Sequence, residues 1–306
     1  MPLTTKAVKI RLRSINNTKK ITRAMEMVSA AKMRKTTRAV LSSRPYATNA
    51  WQLLMRLVKV VSDKNHPLIF QRSEVKSIAI VLVTANRGLC GGFNQQVINV
   101  ATKQMEYFKN KYKDVNIEWI SLGKKGAEYL ARNKYNLAYD YEKADVINDI
   151  SSISAVAKSL MNDYLNKKYD LISLVYTDFK SSLIQKPKVK TILPLSMEYD
   201  DDLGSVSGQV EKEEMVNEEV GEYLFEPSAD KLLNDLLPKF LEVQIYQALL
   251  ESNASEHSAR MMAMKNASSS ASDMINDLTL TFNQLRQASI TREIAEISGG
   301  RAALGL

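Results

Sequence analysis

From Lys239 to Ile297 the chain contains neither glycine nor proline. Turns and helix ends are built from those two residues, so a stretch this long reads as one helix, about 90 Å long at 1.5 Å per residue. A compact domain is only about 30 Å across, so most of this helix must pack against something other than a local core. The other end of the chain offers a partner. From Leu3 to Arg44 there is again neither glycine nor proline, and Val8, Leu12, Ile15, then Ile21, Met25 and Val28 recur near the 3.5-residue spacing of a helix seam. Pro45 is expected to kink this helix without ending it, because Trp51, Leu54, Met55, Val58 and Val61 carry the pattern on. Ala259, Ala263, Ala267 and Ala271 form a small-residue row at i+4 that lets another helix approach closely. The expected result is an antiparallel coiled coil made from the chain's own ends, residues 1–62 and 229–306. Ile275, Leu278, Phe282 and Leu285 continue its seam, and the last turns, with Ile290, Ile294 and Ile297, project alone.

The middle of the chain has a different rhythm. Ser77 to Ala85 (SIAIVLVTA) reads as a fully buried strand, followed by the glycine cluster RGLCGG and a helix from Phe93 to about Tyr112. Further strands are expected at Ile117 to Leu122, Leu171 to Phe179 and Val189 to Leu195, with a helix from Ser151 to Lys168. Alternating strand and helix predict an open α/β (Rossmann-like) domain over residues 76–197. The fold class is therefore α/β, a long coiled coil of the terminal helices plus a central open sheet. Residues 198–227 read as an acidic loop or insertion.

Charge is sorted along the chain. Met1 to Val60 holds 14 Lys/Arg against Glu26 alone, while Glu198 to Glu226 holds eleven acids and one lysine. Thirteen unbalanced positive charges along one helix repel each other unless an acidic surface faces them, which could be nucleic acid, an anionic membrane surface or acidic protein loops. Nucleic acid is the weaker choice, because Tyr46 and Trp51 are the only rings in that basic stretch and base stacking needs aromatic residues.

The chemical signals argue against an enzyme. Gly88, Gly91 and Gly92 do not have G-x-G-x-x-G spacing, and no GK[ST] follows, so the glycine cluster reads as a tight turn or contact loop and no cofactor is expected. With one cysteine, Cys90, and two histidines, His66 and His257, neither a disulfide nor a zinc site can be assembled. The longest apolar run is the six residues Ile78 to Val83, far short of the roughly 20 that cross a bilayer. The basic start superficially resembles a transit peptide, but its helical pattern continues without a break.

Four segments then point to a family. ITRAMEMVSAAKMRK (Ile21 to Lys35), TANRGLCGGFN (Thr84 to Asn94), SEHSARMMAMKNASSSASDMI (Ser255 to Ile275) and RQASITREIAEI (Arg286 to Ile297) together resemble the gamma subunit of F-type ATP synthase. The resemblance implies a non-catalytic central rotor shaft that couples proton flow through a membrane ring to ATP synthesis or hydrolysis on a ring of alpha and beta subunits. It implies beta-subunit contacts at Arg23, Met25, Lys32, Arg87, Cys90, Arg286 and Gln287. In EYLFEP, Tyr223 and Glu226 are expected near the c-subunit ring and the epsilon subunit. It also implies no cofactor, no metal and no nucleic acid, and a peripheral place on the cytoplasmic side of a bacterial inner membrane.

Overall fold

The computed structural model describes residues 4–61, 66–69, 72, 74–147, 150–195, 226 and 228–303. Most of the acidic stretch 198–227 therefore lies outside the described residues. The chain divides into two compact units, one made of residues 1–29 and 261–306 and the other of residues 30–260.

Two helices belong to both units. Helix α1 spans Thr5–Val60. It starts at Thr4, whose hydroxyl accepts the Ala7 N–H at 3.3 Å, a side-chain cap for one of the amide groups a helix start leaves unpaired. Pro45 lies inside α1 and is exposed, on a side where the carbonyl it frees can meet water, so the helix continues as the sequence predicts. The last helix spans Ala229–Ala303, 75 residues, and is capped by Ser228, whose hydroxyl accepts the Lys231 N–H at 3.3 Å. It starts before Pro238 and runs through Gly299 and Gly300, so neither residue type bounds it.

In the second unit the sequence's strands form a five-stranded sheet. In chain order the elements are β1 (Ser77–Val83), α2 (Phe93–Lys111), β2 (Asn116–Leu122), α3 (Lys124–Arg132), β3 (Leu137–Tyr141), α4 (Ser151–Leu165), β4 (Leu171–Phe179) and β5 (Gln185–Leu193), so the last helix is α5. The strand order is β3-β2-β1-β4-β5, parallel except for β5. Along β1 the pleat sends Ile78, Ile80 and Leu82 to one face, where α2 covers them with Val97, Ile98, Ala101, Met105 and Phe108. Ala79, Val81 and Val83 face the other way and share a core with α4, with α1 from Val40 to Leu57 and with α5 from Leu233 to Ala254. Burial on both faces explains why β1 reads as an unbroken apolar run. In this core α1 and α5 run antiparallel: Trp51 packs on Phe240 with ring centroids 5.4 Å apart, and the Ser43 hydroxyl donates to the Gln247 side-chain oxygen at 2.7 Å.

In the first unit the seam differs from the expected one. Burial falls on Val8, Thr22 and Ser29, with Leu12, Ile15 and Lys19 half-buried between them. Positions 8, 15, 22 and 29 are spaced by sevens, the heptad of a left-handed coiled coil. Ile21, Met27 and Val28 are instead 60%, 58% and 57% exposed. On α5 the buried residues are Met264, Ser268 and Ala271, followed by half-buried Ile275, Leu278, Phe282 and Leu285. The alanine row is also corrected: Ala263 and Ala267 are only half-buried, because an i+4 row drifts across a seam that repeats every 3.5 residues. From Arg286 to Gly300 every residue is exposed.

Candidate interaction surfaces

Open α/β sheets bind ligands outside the carboxyl ends of their strands, where the strand order reverses. Here that point lies between β1 and β4, and the loops beside it are the glycine cluster after β1 and residues 180–184 after β4. The chain's own α5 fills it. Ser255 donates to the Thr177 carbonyl at 3.2 Å, Ser258 to the Ser182 carbonyl at 2.6 Å, and Arg260 to the carbonyls of Arg87 and Gly88 at 3.2 and 3.4 Å. Ala85, Cys90 and Phe93 pack together against Ala259. The crevice is thus closed by the chain's own helix, whose side chains donate to the carbonyls that line it.

Behind the loop sits a buried ionic cluster. Glu256 accepts Lys143 Nζ at 2.6 Å and Arg260 Nη2 at 2.9 Å. Burial alone would raise the Glu256 carboxyl, but the two cations outweigh it and hold it below the usual carboxylate range. His257 Nε2 donates to the Asp145 carbonyl at 2.9 Å, which leaves Nδ1 to accept from Arg260 at 3.4 Å. Burial keeps this imidazole below the ordinary histidine range. Asn253 donates to the Ala144 carbonyl at 3.1 Å, and Asn86 to the Lys143 carbonyl at 2.5 Å. These contacts fasten the loops after β1 and β3 to one stretch of α5.

Three of the sequence-predicted residues meet around this cluster. Lys32 donates to Asp145 Oδ2 at 2.9 Å, and that bond holds the Asp145 carboxyl below its ordinary range. Arg87 is exposed at the loop tip beside Leu89. Cys90 is 2% exposed and receives the Asn94 amide at 3.3 Å, and its burial pushes the thiol up, the opposite of an activated nucleophile. In the first unit Arg23 is exposed and bridges to Glu26 at 2.8 Å, Met25 is half-buried, and Arg286 and Gln287 are exposed. Glu226 is an exposed bend residue, and Tyr223 lies outside the described residues. Among the described residues no group of three or more His, Cys, Asp or Glu could hold a metal, and no helix is long and apolar enough to cross a membrane.

Sequence reasoning did not single out Glu256, Lys143 or Arg260. A signal was present: charged residues at 256 and 260 interrupt a stretch of helix, Ser252 to Met264, that otherwise carries no formal charge, and i,i+4 spacing puts them on one face.

A family model described as ATP synthase matches residues 4–304. The ATP synthase gamma chain of Pelotomaculum thermopropionicum is 43% identical over 96% of both chains, and that of Legionella pneumophila (strain Corby) is 36% identical over 98% of this chain and 99% of the relative. Among solved structures, a chain of the Euglena gracilis mitochondrial ATP synthase superposes with a TM-score of 0.63 at 17% identity, covering 98% of this chain and 94% of that one. A chain of the Tetrahymena thermophila mitochondrial ATP synthase central stalk and c-ring gives 0.56 at 24% identity, covering 81% of this chain and 99% of that one. At such identities these two matches speak for the fold.

Proposed function

Because the chain belongs to the ATP synthase gamma-chain family, we propose that it is the central rotor shaft of that enzyme, coupling proton flow to ATP synthesis or hydrolysis without catalysing either itself. The observation that carries the reading is the apolar surface that the first unit leaves outside its seam. A free-standing coiled coil buries its apolar residues, yet this one buries Thr22 and Ser29 and presents Ile21, Met27 and Val28 outward. On α5, Met274, Leu280, Ile290, Ile294 and Ile297 are exposed as well. Such a surface suits a shaft enclosed by other subunits. An asymmetric shaft offers each surrounding subunit different contacts and so biases each toward a different conformation, a population shift driven by differential binding.

In this reading residues 1–62 and 229–306 make the shaft, 76–197 the α/β domain and 198–227 an acidic insertion. Arg23, Met25, Arg286 and Gln287 face beta subunits from the first unit, and Lys32, Arg87 and the Cys90 loop from the second. Since the Cys90 side chain is buried, the loop touches its partner through Arg87 and Leu89. Tyr223 and Glu226 lie toward the c-ring and epsilon subunit, on the cytoplasmic side of a bacterial inner membrane. The relatives named above give the nucleic-acid alternative no support.

Reconstitution tests the proposal. Mixed with alpha and beta subunits, the chain should enter a complex holding roughly threefold excess of each and restore ATP-driven proton pumping to gamma-depleted membranes. ATP hydrolysis by the isolated chain, or failure to enter the complex, would refute it.

A further inference from the structure

The glycine loop is held from behind by one buried carboxylate, and we propose that Glu256 is the positioning residue that fixes the path of this loop, acting through Arg260. The inference rests on the reading of Arg87 to Cys90 as a contact surface only for its functional consequence; the positioning itself stands on geometry.

The Glu256 side chain is 5% exposed, and each of its oxygens holds one cation, Arg260 Nη2 at 2.9 Å and Lys143 Nζ at 2.6 Å. Arg260 uses other donor directions on main-chain acceptors, Nε toward Gly88 at 3.4 Å and Nη2 toward Arg87 at 3.2 Å. A guanidinium is a rigid planar fork, so pinning one edge fixes where its remaining N–H groups point. Without Glu256 only the long 3.4 Å contact to His257 Nδ1 ties that fork to α5, and a long side chain near the surface turns to water.

The loop needs such an anchor. Leu89 has φ 63 and Gly91 φ 57, and the first is a left-handed conformation that a leucine rarely adopts unaided. Gly88 has open space where a side chain would go, so side-chain packing does not hold the loop at that point. At Arg87 and Gly88 the loop is held by its carbonyls, which accept from Arg260. The other shoulder is tied to the same cluster, since Asn86 donates to the carbonyl of Lys143, the residue whose side chain neutralises Glu256.

The chain carries its own reporter. Cys90 is its one cysteine, lies in the loop and is 2% exposed, so modification by a maleimide requires the loop to open. Modification through local opening follows the population of the open form. In the full-length chain, Glu256→Gln and Arg260→Met should each raise the maleimide rate at Cys90 by about tenfold or more while circular dichroism shows the helices intact. Lys143→Met leaves the Glu256–Arg260 bridge and should lower the melting temperature while Cys90 stays protected.

Wild-type protection in both folded variants overturns the proposal, as does equal exposure in Lys143→Met, which would mean general loosening. Should Glu256→Gln fail to fold, Arg260→Met decides alone, because it leaves Glu256 paired with Lys143. Proton pumping per ATP hydrolysed by the assembled complex separates the two readings. Exposure of Cys90 with reduced pumping supports both; exposure with unchanged pumping supports the positioning role and removes the loop from the contact surface.

Discussion

A methyl group added at Gly123 would lie 2.3 Å from the Thr84 carbonyl oxygen, on a backbone with φ 113. Nothing there can give way, because the Thr84 hydroxyl also donates to the Gly123 carbonyl and accepts the Gly126 N–H. Gly123→Ala should therefore cost roughly 4 kcal/mol or more in urea unfolding. Gly88→Ala, with open space around it, should change stability by less than about 0.5 kcal/mol. The sequence drew attention to the glycine cluster and passed over Gly123, since the motif is visible and the close approach of a distant carbonyl is not. His257 makes a pH prediction. Its folded pKa is depressed by burial, with Asp145, Glu256, Arg260 and Lys32 acting around it, and Arg87, Cys90 and Lys143 complete the charged and titratable groups of the cluster. The unfolded chain therefore takes up the proton first, so this contribution is present above the ordinary value of about 6.5 and is lost as pH falls through it. Melting temperature should drop between pH 7.5 and 5.5, and less steeply in His257→Gln, whose amide can still donate to Asp145. Equal slopes would mean that His257 is not the group titrating.

At the scale of elements the long helices and the buried strands were legible, because absence of glycine and proline and unbroken apolar runs are signals carried within one segment. What escaped depends on neighbours. β3 (LAYDY) and α3 were missed because a five-residue edge strand and a nine-residue helix carry too little pattern. β5 starts at Gln185, four residues before the expected Val189, because Lys186, Pro187 and Lys188 look like loop and are tolerated only on an edge strand. The seam of α1 differs for the same reason: hydrophobicity alone points Ile21 and Val28 inward, and the heptad puts Thr22 and Ser29 there. Thr22→Val should stabilise the isolated chain by about 1 kcal/mol, exchanging a buried hydroxyl bonded to the Lys19 carbonyl for a methyl. Ile21→Ser with Val28→Ser should shift it by no more than about 0.5 kcal/mol each and yet weaken assembly with alpha and beta subunits. Thermal unfolding followed at helix wavelengths, set beside yield of the assembled complex, checks both; destabilisation of the free chain by the serine pair would return those residues to the seam.

For the whole molecule the sorted charge remains the widest constraint. Met1 to Val60 carries 14 cations against one acid, and the structure divides those cations by use. Arg23 answers Glu26 on its own helix and Lys32 answers Asp145, so neither is fully available to a partner. Arg34, Lys35 and Arg38 are exposed and make no ion pair among the described residues. A test that reversed Arg23 or Lys32 would confuse a broken internal bridge with a lost external one. Reversing Arg34, Lys35 and Arg38 to Glu avoids this: the free chain should keep its melting temperature, since exposed charges contribute little to stability. In the assembled enzyme the same changes should place like charges against acidic loops in a partly desolvated setting, where juxtaposition costs several kcal/mol and should abolish most ATP-driven proton pumping. Lys109, Lys111 and Lys113, exposed at the end of α2, provide the control triple, and their reversal should leave pumping largely intact. The measurement is pumping by membranes reconstituted with each triple across a range of salt, because exposed interactions fade as the Debye length shrinks and desolvated ones persist. If both triples reduce pumping equally, the basic helix faces water and the enclosed-shaft reading loses its electrostatic support.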